Sequence, residues 1–291
     1  MRRSVRMRYR VGSAIVRYAL PMMRERSRTW LDAARGSAGA WGYVPGSAAA
    51  LEPTLLAVAA GAPLPSEWIA AQPPSWATLM LPACLHGRPE PAAGALRQTA
   101  RATIDAWEPW LAPETPGDFD GGLRGWSWTP GTFTWVEPTL WAVLSLRALG
   151  AAAAPRVDEG LRVLADRQGA DGGWNAGNPS VLGAALPSYA YLTGLALLAL
   201  PPGHPRVGPA VAFLRSEALR PSSLTLAAAV LGLARHGLPV AGLAARLAER
   251  ASPEGHFDGR VDRTALALMA LDVSAGGRPP LGLDRRGSDG E

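Results

Sequence analysis

WGYVPGSAAALEPTLLAV, residues 41–58, returns as WSWTPGTFTWVEPTLWAV, residues 126–143. The two stretches align without a gap: Trp41 with Trp126, Pro45-Gly46 with Pro130-Gly131, and Glu52-Pro53-Thr54 with Glu137-Pro138-Thr139. A partial third copy, QGADGGWNAGN at 168–178, precedes an apolar run from Tyr189 to Leu200. Self-similarity at intervals of about 40 residues marks a repeat architecture, in which one unit cannot bury its apolar face alone.

Each unit reads as an amphipathic outer helix, a Gly/Trp-containing loop and an apolar inner helix. Outer segments are expected at 67–72, 94–111, 157–168, 207–219 and 240–251, where Arg, Asp and Glu alternate with Leu and Val at helical spacing. Inner segments are expected at 75–87, 138–149, 188–200, 222–237 and 262–273, apolar nearly all round and so packed on every side. The first unit spans 29–61. The pattern predicts an all-α fold, an (α/α) toroid of five to six helical hairpins over residues 29–275. Closing the ring removes the exposed ends that an open solenoid must cap.

The termini have a different character. Nine of the 29 basic residues, all of them Arg, fall in residues 1–28 against one acidic residue, Glu25. This segment is expected to be a basic arm or helix suited to peripheral contact with an anionic membrane surface; no nucleic-acid partner is expected. Arg17 interrupts its apolar stretch and no small-residue cleavage site follows, so a signal peptide is not expected. No apolar run approaches the length of a membrane span, and the expected location is cytoplasmic. Residues 276–291 are polar and Gly/Pro-rich, the composition of a disordered tail. The single cysteine, Cys84, excludes an internal disulfide and a multi-Cys zinc site, and is expected to be a buried thiol.

The stretch GLRVLADRQGADGGW, 160–174, resembles the QW motif of squalene–hopene and oxidosqualene cyclases, with Gln168 and Trp174 in the Gln and Trp places. With the repeats, the resemblance covers most of residues 29–273. It extends to the terpenoid-cyclase and protein-prenyltransferase toroids and to small bacterial proteins with prenyltransferase and squalene-oxidase repeats. It implies an apolar small molecule or isoprenoid lipid in a central cavity. Class II cyclases carry a DxDD motif whose middle Asp protonates an alkene or epoxide. Here Arg260-Val261-Asp262-Arg263 puts Asp262 in the middle and Arg on both sides. Neighbouring Arg charges favour a carboxylate over the protonated acid that such chemistry requires. The zinc ligands of the prenyltransferases and the DDxxD signature of class I synthases are missing from this sequence. No metal or cofactor is therefore expected.

The candidate chemistry rests on three carboxylates at equivalent inner-helix starts, Glu52, Glu137 and Asp262. They suit general acid/base roles, and they equally suit helix capping, a reading favoured by Pro53 and Pro138 at the expected first helical position. Loop aromatics Trp41, Tyr43, Trp126, Trp128, Trp135, Trp174 and Tyr189 are the candidates for an apolar wall that stabilises positive charge. Loop Trp residues equally suit plugging gaps between hairpins. Arg124, His256, Arg260 and Arg263 are the candidates for an anionic head group. Two other functions fit the same features: a non-catalytic scaffold for a protein or membrane, and a glycan-processing (α/α) barrel with paired carboxyl groups.

Overall fold

The computed structural model describes residues 20–114, 119–217, 222–277 and 279–282. Residues 1–19 of the basic segment and 283–291 of the polar tail lie outside the described residues. Twelve α-helices follow one another among the described residues: α1 Leu20–Ala33, α2 Leu51–Ala59, α3 Ser66–Ala70, α4 Leu81–Cys84, α5 Pro91–Ala106, α6 Val136–Ala148, α7 Pro155–Asp166, α8 Ala190–Ala199, α9 Val207–Glu217, α10 Ser223–Arg235, α11 Ala241–Ala248 and α12 Val261–Ser274. A 3-10 turn, Trp76–Met80, leads directly into α4. The only strands among the described residues form a short hairpin, β1 Ser180–Val181 with β2 Ala184–Ala185.

The inner elements close a ring. α2 packs on the 3-10 turn and α4, these on α6, α6 on α8, α8 on α10, α10 on α12, and α12 returns to α2. The backbone completes the seam, because Val261 N donates to Tyr43 O at 2.9 Å. Outside the ring, α5 lies on α4 with α3 beside it, α7 lies on α6 and α9 on α8. α11 bridges α10 and α12, and α1 covers α12. This is the expected (α/α) toroid, with six outer and six inner elements among the described residues. The second inner unit differs from the expected single helix over 75–87. Pro82 follows the 3-10 turn and only Leu81–Cys84 is α-helical. Cys84 is buried there.

Burial follows the two helix types. In α7 only Val157, Gly160, Val163 and Leu164 are buried, one stripe at helical spacing. In α6 every residue from Pro138 to Leu146 is buried. α8 and α10 approach so closely that glycine is required. A Cβ on Gly194 would stand 2.5 Å from the Ala228 carbonyl carbon, and one on Gly232 would stand 2.3 Å from Gly194 O. Gly194→Ala is expected to destabilise the fold by about 1–3 kcal/mol, because two backbones must part. A urea-denaturation midpoint equal to that of the parent would refute the tight crossing.

The repeated sequence acts as a brace. Trp41, Trp126 and Trp174 are fully buried. Their backbone N–H groups donate to the hydroxyls of Thr54, Thr139 and Thr193 at 3.0, 3.0 and 2.9 Å. Their indole N–H groups donate to the carbonyls of Leu31, Ile104 and Leu164 at 2.7, 2.9 and 2.7 Å, at or near the ends of outer helices. Phe257 takes the same place in the last unit, its N–H donating to Thr264 Oγ1 at 2.9 Å. Each brace ties outer helix, loop and inner helix together with its polar groups satisfied. Gln168 adds a lateral tie, its side-chain amide donating to Gly172 O at 2.7 Å and Arg206 O at 2.9 Å.

Candidate functional site

A cavity of about 320 Å³ lies where the inner helices begin. Its lining follows from helix geometry. The second residue of five inner helices faces it: Glu52, Glu137, Tyr191, Leu224 and Asp262. Residues four further on lie on the same helix face. Accordingly Leu56, Trp141, Leu195 and Leu266 form the next layer. The 3-10 turn contributes Trp76 and Met80 at the same interval. The loops contribute Tyr43 and Trp128, each two residues after a brace tryptophan. The chain bends at Tyr43 and Trp128, so the brace residue faces the wall and the residue two positions later faces the cavity.

The carboxylates are not helix caps. The N-cap positions of α2, α6 and α12 are Ala50, Trp135 and Arg260, none with a side-chain cap hydrogen bond. Glu52, Glu137 and Asp262 sit one step inside the first turn, and Pro53 and Pro138 are third in their helices rather than first. The helix dipole favours an acidic residue there, while the side chain remains free to face the cavity.

The three carboxylates have different surroundings. Asp262 accepts a forked pair from Arg260, with Nε at 3.0 Å from Oδ1 and Nη2 at 3.0 Å from Oδ2. The same guanidinium lies 5.1 Å from the centre of the Tyr43 ring. Tyr43 Oη donates a short hydrogen bond to Glu52 Oε2. Burial raises the Glu52 carboxyl above its ordinary range; the Tyr43 bond opposes this and the Asp262 charge adds to it. Burial, followed by the Glu52 charge, pushes Glu137 up to about 7. The Trp141 indole N–H is buried without a partner in hydrogen-bonding geometry, although its nearness works to lower Glu137. Burial and the charges of Glu137 and Glu52 raise Tyr191 to about 12. Glu137, which changes protonation near neutral pH, can therefore give or take a proton inside an aromatic enclosure. Trp76 and Trp128 meet edge to face at 4.6 Å on that enclosure's wall.

The structure thus brings Glu52, Glu137, Asp262, Tyr43 and Trp128 to one cavity, with Arg260 held on Asp262. It does not bring the other candidates there. Trp41, Trp126 and Trp174 are committed to the wall braces, which corrects their reading as a cavity lining. Trp135, half-buried, packs over Gly177 at the start of α6. Tyr189 is 48% exposed and stacks on Tyr191 at 6.5 Å from outside the lining. The expected cationic head-group site is also corrected. Arg124 pairs with Glu108 and Arg263 with Asp258, while His256 lies 5.2 Å from the Trp30 ring; none of the three lines the cavity. Sequence reading missed Trp76, Trp141 and Tyr191. The signal for Trp141 was its four-residue interval from Glu137, and that for Tyr191 its place, like the two glutamates, at the start of an inner helix. Among the described residues no group of three or more His, Cys, Asp or Glu is arranged to hold a metal, and no helix is long and apolar enough to cross a membrane.

No family model matches the chain, and no curated protein matches it. Among solved structures it is similar to a protein from Actinoplanes, at 21% identity and a TM-score of 0.46, over 90% of this chain and 76% of that one. It is similar also to the type II terpene cyclase MstE from Scytonema, at 13% identity and a TM-score of 0.40, over 88% of this chain and 98% of that one. A single-residue variant of that cyclase in complex with its substrate, geranylgeranyl dihydroxybenzoate, matches at 12% identity and a TM-score of 0.37, over 88% of this chain and 97% of that one. The likenesses are remote, and the toroid rests on this chain's own helix contacts.

Proposed function

We propose that the central cavity binds a small apolar molecule of isoprenoid type and that Glu137, backed by Glu52, performs acid/base chemistry on it. One observation carries this reading: two carboxyl groups, freed from capping, face an aromatic cavity in the middle of the ring. At about 320 Å³ the cavity is at the small end of the range of about 300–1,000 Å³ usual for ligand sites, which suits a short chain. Aromatic faces from Trp76, Trp128 and Trp141 supply apolar contact and stabilise positive charge that develops during reaction. A carboxyl that titrates near neutral pH is too weak an acid to protonate an isolated alkene. It suits proton transfer next to a carbonyl or at an oxygen leaving group. A scaffold with a filled centre would not need this space, and the buried brace tryptophans offer no open sugar-stacking groove.

The test is native mass spectrometry with lipid extraction of the purified chain, followed by turnover assays on whatever is recovered. A small apolar ligand is expected to co-purify and to be lost in Trp128→Ala without loss of folding. Glu137→Gln is expected to retain the ligand while turnover falls by about 10²–10⁴-fold, the usual contribution of a positioned acid or base. A protein that is empty and takes up no short isoprenoid would refute the reading.

A further inference from the structure

The cavity's charge is unbalanced. Among the described residues its lining contains Glu52, Glu137 and Asp262 and no Arg or His. Arg260 answers Asp262 with two hydrogen bonds. It reaches Glu52 only through space, and it does not figure among the groups that act on Glu137. Around these two glutamates stand the rings of Tyr43, Trp76, Trp128, Trp141 and Tyr191. Aromatic faces and carboxylates prefer the same guest. A ring quadrupole attracts a cation, and the attraction grows to about 2 kcal/mol or more once the cation is desolvated. A neutral apolar guest would instead strip water from both glutamates and offer no countercharge, a cost that rises with burial. The carboxylates are not grouped to coordinate a metal ion. A bulky, weakly hydrated cation fits both the rings and the volume.

We propose that the cavity takes an organic monocation, a protonated amine or quaternary ammonium carried on a small apolar body. The positive centre sits between Glu52 and Glu137, and the apolar body lies against Trp76 and Trp128. This inference rests on the cavity being the ligand site, as proposed above, and narrows the ligand to a charged class. Non-specific attraction works against it, because the chain carries a net charge of +5 that repels amines from its surface.

The test is calorimetric titration of the full chain at pH 7.5 with geranylamine and with geraniol, matched in length and differing in charge. Geranylamine is expected to bind at least about tenfold more tightly. In Glu52→Gln/Glu137→Gln that preference should vanish while geraniol binding persists. Trp128→Leu, which keeps an apolar side chain but removes the π face, should reduce the preference of geranylamine over geraniol, and serves where the double variant does not fold. Equal affinity of the parent chain for both probes would overturn the charged-ligand inference and leave apolar binding intact. A preference that survives the double variant would overturn the assignment to these two carboxylates. Binding of neither probe would overturn this inference together with the proposed function.

Discussion

Trp126→Ala is expected to remove about 3–5 kcal/mol of unfolding free energy, the usual effect of emptying a buried tryptophan site. The ring is fully buried and its wall is built from several elements. Arg156 lies over one face at 3.9 Å from the ring centre. Gly160 lies so close that a Cβ there would stand 3.1 Å from Trp126 Cζ3. Truncation also strips the Ile104 carbonyl of its indole donor, and an unsatisfied buried acceptor costs about 1–3 kcal/mol. Natural domains hold about 5–15 kcal/mol in total, so this one change consumes a large share. Two residues away, Trp128 is half-buried and faces the cavity. Trp128→Ala should cost much less stability and weaken ligand binding instead. Urea denaturation of both variants checks the contrast. Equal losses would mean that the two tryptophans do not divide into brace and lining.

That division shows where the sequence is legible and where it stops. The alignment of 41–58 with 126–143 located the repeats, and the amphipathic and all-apolar segments assigned outer and inner helices. Both signals arise from burial, which leaves a periodic record in the chain. Side-chain direction within the loops leaves none. In W-G-Y and W-S-W the first aromatic turns to the wall and the third residue to the cavity, because the chain bends at the third residue, and composition does not reveal that bend. The carboxylates were found by the same alignment, but their role hinged on a helix boundary one residue away. Had Glu52 been the N-cap, its oxygens would serve the first turn. As the second helical residue it is free to face inward. Trp76 was hidden for another reason, since the second unit carries no brace tryptophan and its inner helix is broken by a 3-10 turn.

Glu137→Gln is expected to make the protein more stable at pH 8 and to leave it nearly unchanged at pH 4. The folded-state carboxyl titrates at about 7, above an ordinary value of 4.5. Between those limits the folded chain holds a proton that the unfolded chain releases. The proton's contribution to stability is complete below the ordinary value, declines as pH rises, and is gone above about 7. At roughly 1.4 kcal/mol per pH unit the full loss is about 3 kcal/mol. The upward shift of Glu52 acts with the same sign, so the parent's stability declines on the alkaline side for both residues. Glutamine has nearly the same shape and cannot ionise, so the variant escapes its part of the decline. Urea midpoints for both proteins at pH 4 and pH 8 measure this directly, and parallel pH dependence would sink the argument. The consequence for function lies in the sign. A residue retained for the fold should cost stability when removed. A buried carboxyl whose removal stabilises the chain at neutral and alkaline pH is explained by what it does to a guest in the cavity.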